Sequence, residues 1–182
     1  MASYVQSSGY LELILGPMYA GKTSKIIEIY KLYKYCKMAV SIINHSLDTR
    51  YHDTMLSSHD KIMAPCLQSD NLTDLWNNNS MLQNCNVVLI NEGQFFADLY
   101  EVVLDMLKHN KKIYICGLDG DFERKKFGYI LDLIPLCDKV QKLTSLCSLC
   151  KDGTPAIFSM RLTQEKEQTI IGSDNYLSLI HI

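Results

Sequence analysis

Apolar positions along most of the chain follow two alternating patterns. Short apolar runs, which are typical of buried parallel strands, predict strands at residues 10–15, 38–43, 61–67, 86–90 and 111–116. Apolar residues at intervals of three and four predict a helix over residues 22–36, a short helix from Leu72 to Trp76 capped by Asn71, and a helix that starts at Asp98. This alternation predicts an α/β fold in which helices flank a parallel sheet.

Two stretches depart from this alternation. Residues 44–60 are polar and too long for a simple connection, so we expect a functional loop there. Towards the C-terminus helical periodicity ends, and a Cys-x-x-Cys sequence is surrounded by short strand-like pieces at 139–146, 156–162 and 168–171. We therefore predict a main α/β domain at residues 1–143 and a small β-rich appendage, similar to a zinc ribbon, at residues 144–182.

The composition fits one soluble globular protein. The chain has 182 residues, of which 47% are hydrophobic and 21% charged, and its net charge is −2. This charge argues against general binding to nucleic acid or acidic membranes, and no apolar run has transmembrane length. No secretory signal is apparent at the N-terminus. Five of the seven cysteines are scattered, several within apolar runs, which predicts reduced thiols and a reducing, cytoplasmic setting.

The first predicted strand leads into a glycine-rich sequence with the pattern G-x-x-x-x-G-K-[ST]. Its members are Gly16, Pro17, Met18, Tyr19, Ala20, Gly21, Lys22 and Thr23. In such loops backbone N–H groups and the next helix N-terminus surround phosphate oxygens, the lysine reaches the β- and γ-phosphates, and the hydroxyl ligates Mg²⁺. A glycine-containing turn with an incidental lysine is the alternative. The predicted strand before the motif and helix after it favour a P-loop NTPase-like sheet.

A second chemical feature follows the predicted strand at 86–90. Asn91 stands where phosphate-loop proteins usually place a metal-holding aspartate, and Glu92 comes next. A carboxylate at the carboxyl end of a parallel strand can accept a proton from a substrate hydroxyl. A solvated glutamate is the alternative. The following Gln94, Phe95 and Phe96 suit the binding of a planar base, although core packing is the commoner role of phenylalanine.

The predicted strand at 111–116 ends in GLDGDFERKKFG. Its three glycines predict a mobile loop, and Arg124, Lys125 and Lys126 add positive charge near the expected phosphate site. A solvated charge run is the usual explanation of such a sequence. Because Phe122 and Phe127 frame the charges, we interpret the loop as a lid over substrate.

Together these sequences resemble the type II thymidine kinases, the cellular, bacterial and poxvirus-like kind. The resemblance extends from about Gly9 to Tyr176 and rests on GPMYAGKT, LDTRY, NEGQFF, GLDGDFERKKFG, LIPLCDKVQKLTSLCSLC and RLTQEKEQTIIGSDNY. It implies transfer of the γ-phosphate of ATP to the 5′-hydroxyl of deoxythymidine, with deoxyuridine as a second substrate. It also implies Mg²⁺ dependence, a homotetramer, feedback inhibition by dTTP, a structural zinc, and a lasso loop that orders over substrate.

The resemblance also implies roles for individual residues. Glu92 is the expected general base, and Lys22 is the second catalytic residue. The expected ATP-binding residues are those at 16–23 together with Asp48, Arg50, Asn91 and Gln94. Residues expected to bind the nucleoside are Met18, Phe95, Leu118, Phe122, Phe127, Gln168, Thr169, Ile170, Ile171, Gly172 and Tyr176.

The chain departs from the family pattern in two places. Asn91 is neutral where the family usually has aspartate, so we expect Thr23 to hold Mg²⁺ with reduced affinity rather than loss of activity. Cys147 and Cys150 supply one zinc knuckle, but Ile180 stands where the first cysteine of the second pair is expected. The zinc site is therefore expected to be incomplete, because structural zinc takes four ligands.

Three other functions compete with this interpretation. A kinase of another nucleoside would carry the same motifs, because pocket shape sets that choice. A catalytically weakened regulatory protein that binds nucleotide would explain Asn91, but Lys22, Thr23 and Glu92 are intact. A zinc-ribbon nucleic-acid binder fits poorly with one knuckle and a slightly acidic chain.

Overall fold

The computed structural model describes residues 9–48, 54–57, 61–164, 167–168 and 175–179. The helices are α1 Lys22–Tyr35, α2 Leu72–Asn78, α3 Ser80–Asn84 and α4 Leu99–Lys108, with 3₁₀ helices at Gly93–Phe95 and Ile130–Leu136. The strands are β1 Tyr10–Leu15, β2 Val40–His45, β3 Met55–Ser57, β4 Met63–Pro65, β5 Leu67–Ser69, β6 Val87–Ile90, β7 Lys112–Gly117, β8 Lys139–Lys142, β9 Ser145–Leu146, β10 Pro155–Ala156, β11 Phe158–Arg161 and β12 Tyr176–Leu179.

A six-stranded parallel sheet forms the centre of the molecule. Its strand order is β5-β2-β6-β7-β1-β8, which confirms the predicted parallel α/β sheet flanked by helices. Ile43 pairs with Ile90, and Ile90 pairs with Ile115. The polar residues just beyond this row therefore meet at one edge, where open parallel sheets bind ligands.

Helices cover both faces of the sheet. On one face Leu11, Leu13 and Leu15 point into a cluster with α2, α3, α4 and the second 3₁₀ helix. On the other face Ile14 and Leu89 pack against the isoleucines of α1. The sheet residues of both clusters are almost completely buried, which makes them the rigid platform of the molecule.

Local hydrogen bonds explain the short helices. The Asn71 side chain accepts a hydrogen bond from the backbone N–H of Asp74 at 2.8 Å, which confirms the predicted cap of α2. Asn79 caps α3 in the same way through the N–H of Leu82 at 3.0 Å. The Lys111 ammonium donates to the carbonyl oxygens of Gln83 and Cys85, both at 2.6 Å, and so satisfies the C-terminal end of α3.

Several element boundaries differ from the predictions. The second strand begins at Val40 rather than residue 38 and continues through polar Asn44 and His45. The strand predicted at 61–67 is two strands, β4 and β5, separated at Cys66. Helix α3 and strand β12 were not predicted. Most of the strand predicted at 168–171 lies outside the described residues.

The C-terminal part contains two small antiparallel ribbons. Strand β9 pairs with β10, and β11 pairs with β12. In the second ribbon Ser159 lies opposite Ser178, and Arg161 lies opposite Tyr176. The division of the chain into domains at residue 143 stays a prediction. None of the helices described is long and apolar enough to cross a membrane.

Candidate active site

The phosphate-binding motif forms a tight loop between β1 and α1. Gly16 has φ +152°, and a Cβ atom there would lie 2.6 Å from the Leu143 carbonyl oxygen, so only glycine fits. Gly21, with φ +80°, precedes the first residue of α1. The loop backbone therefore leads directly into the N-terminus of a 14-residue helix. Loops and helices in this arrangement bind phosphate.

Lys22 is the first residue of α1 and is 7% exposed. Its Nζ donates a hydrogen bond to the Pro17 carbonyl oxygen at 2.6 Å, so the ammonium lies back across the loop. Thr23 follows on the helix and is partly buried. Both side chains therefore lie where the motif predicts a phosphate-binding cation and a metal-binding hydroxyl.

The β11–β12 ribbon holds the phosphate-binding loop at Met18. The Met18 N–H donates to Ser159 Oγ at 2.9 Å, and Ser178 Oγ donates to the Met18 carbonyl oxygen at 2.8 Å. The Tyr19 hydroxyl also donates to the Tyr176 carbonyl oxygen, at 3.4 Å. The C-terminal ribbon therefore holds one residue of the loop, Met18, through both its N–H and its carbonyl group.

Asn91 directly follows β6 and is fully buried. Its Nδ2 donates to Asn44 Oδ1 at 2.7 Å, and its Oδ1 accepts from the Cys116 thiol at 2.9 Å. These residues follow or lie in β2, β6 and β7, so the network links three neighbouring strands. The Asn91 side chain is engaged within the sheet, and a direct contact with ATP stays a prediction.

Glu92 follows at the same edge with φ 53° and ψ 44°, a left-handed conformation that is unusual for glutamate. Burial, together with the carboxylates of Glu92 and Asp48 and against the opposing charge of Lys22, raises the pKa of the Cys116 thiol to about 12. These three charged groups therefore lie near Cys116, at the carboxyl end of β7. A cation, a carboxylate and the phosphate-binding loop thus share one edge of the sheet.

Aromatic rings line the region after Glu92. Phe95 lies edge-on to Phe127 with ring centroids 5.6 Å apart and edge-on to His45 at 5.5 Å. His45 also contacts Phe96, with ring centroids 4.6 Å apart, and its Nδ1 accepts a hydrogen bond from the Leu47 N–H at 3.1 Å. Burial lowers the pKa of His45, while the nearby carboxylates of Asp70, Glu92, Asp98 and Asp48 act in the opposite direction.

The predicted lid loop at 117–128 folds around Asp121, which is 7% exposed. Its Oδ1 accepts from the N–H groups of Glu123 and Lys125, both at 2.9 Å, and Gly120 bridges Lys126 in an antiparallel pair. Asp121 Oδ2 accepts from Gln168 Nε2 at 2.8 Å. This hydrogen bond joins the loop to the segment that the resemblance assigns to base binding.

Arg161 is a site residue that the sequence reasoning missed. It is 8% exposed, and its guanidinium donates to the Glu167 carbonyl oxygen, to the Gln168 carbonyl oxygen at 3.0 Å and to the Tyr176 hydroxyl at 2.7 Å. The same group stacks on Phe122, 3.8 Å from the ring centroid. An arginine inside a strand-like piece was the available signal, because buried arginines are rare without partners.

Arg50, Thr169, Ile170, Ile171 and Gly172 lie outside the described residues. Of the other expected nucleoside contacts, Phe127 is 7% exposed, while Met18, Leu118, Phe122 and Tyr176 are partly buried. A cleft of about 140 Å³ lies beside the loop and is lined by Pro17, the Asp119–Lys142 ion pair and Phe158, among others. This volume is below that of usual ligand pockets, so we assign it no ligand.

Cys147 and Cys150 lie close together at a turn between β9 and β10. The hydrogen bond with Cys147 raises the pKa of the Cys150 thiol. Among the residues described, no group of three or more histidine, cysteine or acidic side chains is placed to hold a metal. This donor set does not fit a four-ligand zinc site, and we derive no step through zinc.

The sheet, the phosphate-binding loop and the carboxylate at its edge define a nucleotide-binding α/β protein. The family model for thymidine kinase matches residues 9–181. The chain is 37% identical over 176 residues to the thymidine kinase of Yaba monkey tumor virus, covering 96% of this chain and 94% of that protein. It is 38% identical over 174 residues to that of Vaccinia virus (strain Western Reserve), covering 95% of each, and 34% identical over 182 residues to the cytosolic thymidine kinase of Bos taurus, covering 97% and 72%. The chain belongs to the thymidine kinase family.

Proposed function

We propose that this protein transfers the γ-phosphate of ATP to the 5′-hydroxyl of thymidine. The observation that carries the proposal is the arrangement at one sheet edge, where Lys22, Glu92 and the phosphate-binding loop lie together. Family membership supports the phosphorylation of thymidine. Phosphoryl transfer needs little covalent chemistry from the protein, because positioning and charge stabilisation supply most of the rate.

On the donor side, we assign the triphosphate to the loop at 16–23. Lys22 then moves from the Pro17 carbonyl oxygen to the β- and γ-phosphates, because a phosphate oxygen is a stronger partner for an ammonium than a neutral carbonyl. The Thr23 hydroxyl fits Mg²⁺, which neutralises charge on the phosphates when it is bound. Asp48 is assigned to this side on the resemblance alone. Gln94 is assigned no direct contact with ATP, because its amide is hydrogen-bonded at both ends, to Glu92 and to the Leu118 N–H.

On the acceptor side, we assign proton uptake from the 5′-hydroxyl to the Glu92 carboxylate. Phe95 and Phe127 form an aromatic wall beside it, suited to a planar pyrimidine. Arg161 holds the backbone at Glu167 and Gln168 against Tyr176 and Phe122, and so supports the segment assigned to the base.

The nucleoside preference is tested by incubating the protein with ATP, Mg²⁺ and each of the four deoxynucleosides, with deoxyuridine as a fifth acceptor. We expect a monophosphate from thymidine, with deoxyuridine as the only other substrate. Product from a different nucleoside alone would show that the protein is a kinase of that nucleoside instead. Tight ATP binding with no product from any acceptor would support the regulatory alternative.

Four further properties belong to this proposal, two through the resemblance and two through the departures of this chain from the family pattern. They are inhibition by dTTP, a homotetramer, reduced Mg²⁺ affinity and an incomplete zinc site. We also place the enzyme in the cytoplasm, since the bovine relative is named cytosolic. Titration with dTTP tests the inhibition, sedimentation tests the homotetramer, and zinc analysis tests the incomplete zinc site. About one zinc per chain would contradict an incomplete site.

A further inference from the structure

Gln94 connects the carboxylate of Glu92 to the loop at 117–128. Its Nε2 donates a hydrogen bond to Glu92 Oε2 at 2.7 Å. Its Oε1 accepts a hydrogen bond from the Leu118 N–H at 3.0 Å. Gln94 is 3% exposed, so both ends of its amide are used in a site shielded from water.

Both ends of that loop close on Gln94. A Cβ atom at Gly117, where the loop begins, would overlap Gln94 Oε1, and one at Gly128, where it ends, would overlap the Gln94 carbonyl oxygen. Gly128 also has φ +59°, which favours glycine. The loop can therefore approach Gln94 closely only because both positions lack a side chain.

The left-handed backbone of Glu92 needs close packing around Gln94 to hold it in place. A left-handed conformation is sterically unfavourable for a residue other than glycine, and it persists only where the surroundings impose it. Gln94 lies two residues later, on the 3₁₀ helix Gly93–Phe95 that this conformation initiates. The strained turn and the hydrogen bond from the Gln94 side-chain amide together direct the Glu92 carboxylate.

We propose that Gln94 is a positioning residue that fixes the Glu92 carboxylate towards the acceptor hydroxyl and ties its position to the loop over the nucleoside. The inference rests on the proposed function, because it takes Glu92 as the proton acceptor. Gln94 acts through Glu92 and carries no proton itself. Its contribution therefore exists only while a carboxylate is present at position 92.

A double-mutant cycle tests this dependence. Gln94→Met keeps the length of the side chain and removes both hydrogen bonds. We expect kcat to fall about 100-fold, with the KM values for thymidine and ATP little changed, because misplacing a catalytic group by about 1 Å costs that much. In a Glu92→Gln background, whose residual rate is followed with labelled thymidine, we expect Gln94→Met to cost almost nothing more.

Gln94→Glu is the second variant. It keeps the length and an oxygen for the Leu118 N–H but replaces the donor by a like charge next to Glu92, so we expect a loss at least as large. Gln83→Met is the matched control, because the Gln83 amide donates to the Trp76 and Asn77 carbonyl oxygens of α2 and, among the residues described, contacts no residue of the site. This variant should keep wild-type kinetics. If Gln94→Met does not fold, as judged by its thermal unfolding, the cycle with Gln94→Glu decides.

An equal loss from the Gln94 change in both backgrounds would overturn the proposal, because it would indicate a general structural role. So would a rise in KM with kcat unchanged, or wild-type turnover in Gln94→Glu. Failure of the proposed function is distinguishable from these outcomes. In that case the wild-type protein would form no monophosphate from thymidine, or Glu92→Gln alone would keep wild-type kcat.

Discussion

Asn91 is a neutral residue at the carboxyl edge of the sheet, directly after β6. Its amide is hydrogen-bonded to Asn44 on one side and to the Cys116 thiol on the other, and it is fully buried. The thiol stays protonated at neutral pH because burial raises its pKa to about 12, so it remains a donor. Position 91 thus joins three strands without adding a negative charge at this edge of the sheet.

Asn91→Asp should lower the Mg²⁺ concentration that gives half-maximal activity by about fivefold, because a carboxylate near the cation contributes on the order of 1 kcal/mol. The fold should accept the change, since rotation of the Asn44 amide turns a donor towards the new carboxylate. Asn91→Ala is the control, because it removes the hydrogen bonds to Asn44 and Cys116 without adding charge. An unchanged Mg²⁺ dependence in Asn91→Asp would contradict the prediction that the neutral Asn91 lowers the Mg²⁺ affinity of the site.

Sequence patterns predicted the residues of the site better than their connections. The phosphate-binding motif and Glu92 could be found because glycine spacing and a strand-end carboxylate are local features. The roles of Gln94 and Arg161 depend on partners that lie far away in the sequence, such as Leu118 for Gln94 and Tyr176 for Arg161. Periodicity does not encode such contacts.

At the scale of elements, the β11–β12 ribbon connects the two halves of the site. One cross-strand pair, Ser159 and Ser178, hydrogen-bonds the backbone of Met18. In the next pair but one, Arg161 contacts Tyr176 and hydrogen-bonds the segment at 167–168. The two pairs lie two residues apart along each strand and therefore on one face. The ribbon links the phosphate-binding loop to the segment assigned to the base.

Ser159→Ala and Ser178→Ala should each raise the KM for ATP by about fivefold, because each removes a hydrogen bond worth about 1 kcal/mol from the loop. Ser145→Ala is a matched control: Ser145 is also buried in the C-terminal part, but none of the residues described forms a hydrogen bond with its hydroxyl. Steady-state kinetics at saturating thymidine measure the effect. An unaltered KM for ATP in the double variant Ser159→Ala/Ser178→Ala would show that the ribbon does not position the loop.

The ends of strand β2 could not be predicted from the hydrophobic pattern of the sequence. Met38 and Ala39 are apolar but precede β2, whereas Asn44 and His45 are polar and complete it, because they pair with Gln68 and Ser69 of β5. The carbonyl of Ala39 instead accepts from the N–H groups of residues 86 and 87. Pairing partners, rather than the hydrophobicity of the strand itself, decided these ends.

At the scale of the whole molecule, stability should depend on pH through His45. The folded protein holds this buried ring neutral with a lowered pKa, whereas the unfolded chain binds a proton near the ordinary value of about 6.5. The unfolded state therefore binds more protons as pH falls below that value. By linkage, the free energy of unfolding decreases on acidification through this range.

Thermal unfolding midpoints between about pH 7.5 and 5.5 measure this effect around the ordinary histidine pKa. We expect the wild-type midpoint to fall with pH and His45→Gln to fall less steeply, because glutamine keeps an acceptor for the Leu47 N–H and does not titrate in this range. His109→Gln is the control, since His109 lies on the exposed end of α4. Equal slopes for wild type and His45→Gln would contradict the prediction.

The central claim is that a phosphate-binding loop and a proton-accepting carboxylate face one acceptor site. The most direct test is the rate of thymidine phosphorylation by Glu92→Gln at saturating ATP and Mg²⁺, together with ATP affinity measured on the same sample. We predict a fall in kcat of about 100- to 10,000-fold, the usual contribution of a general base, with ATP affinity retained. Wild-type kcat in Glu92→Gln would contradict the account.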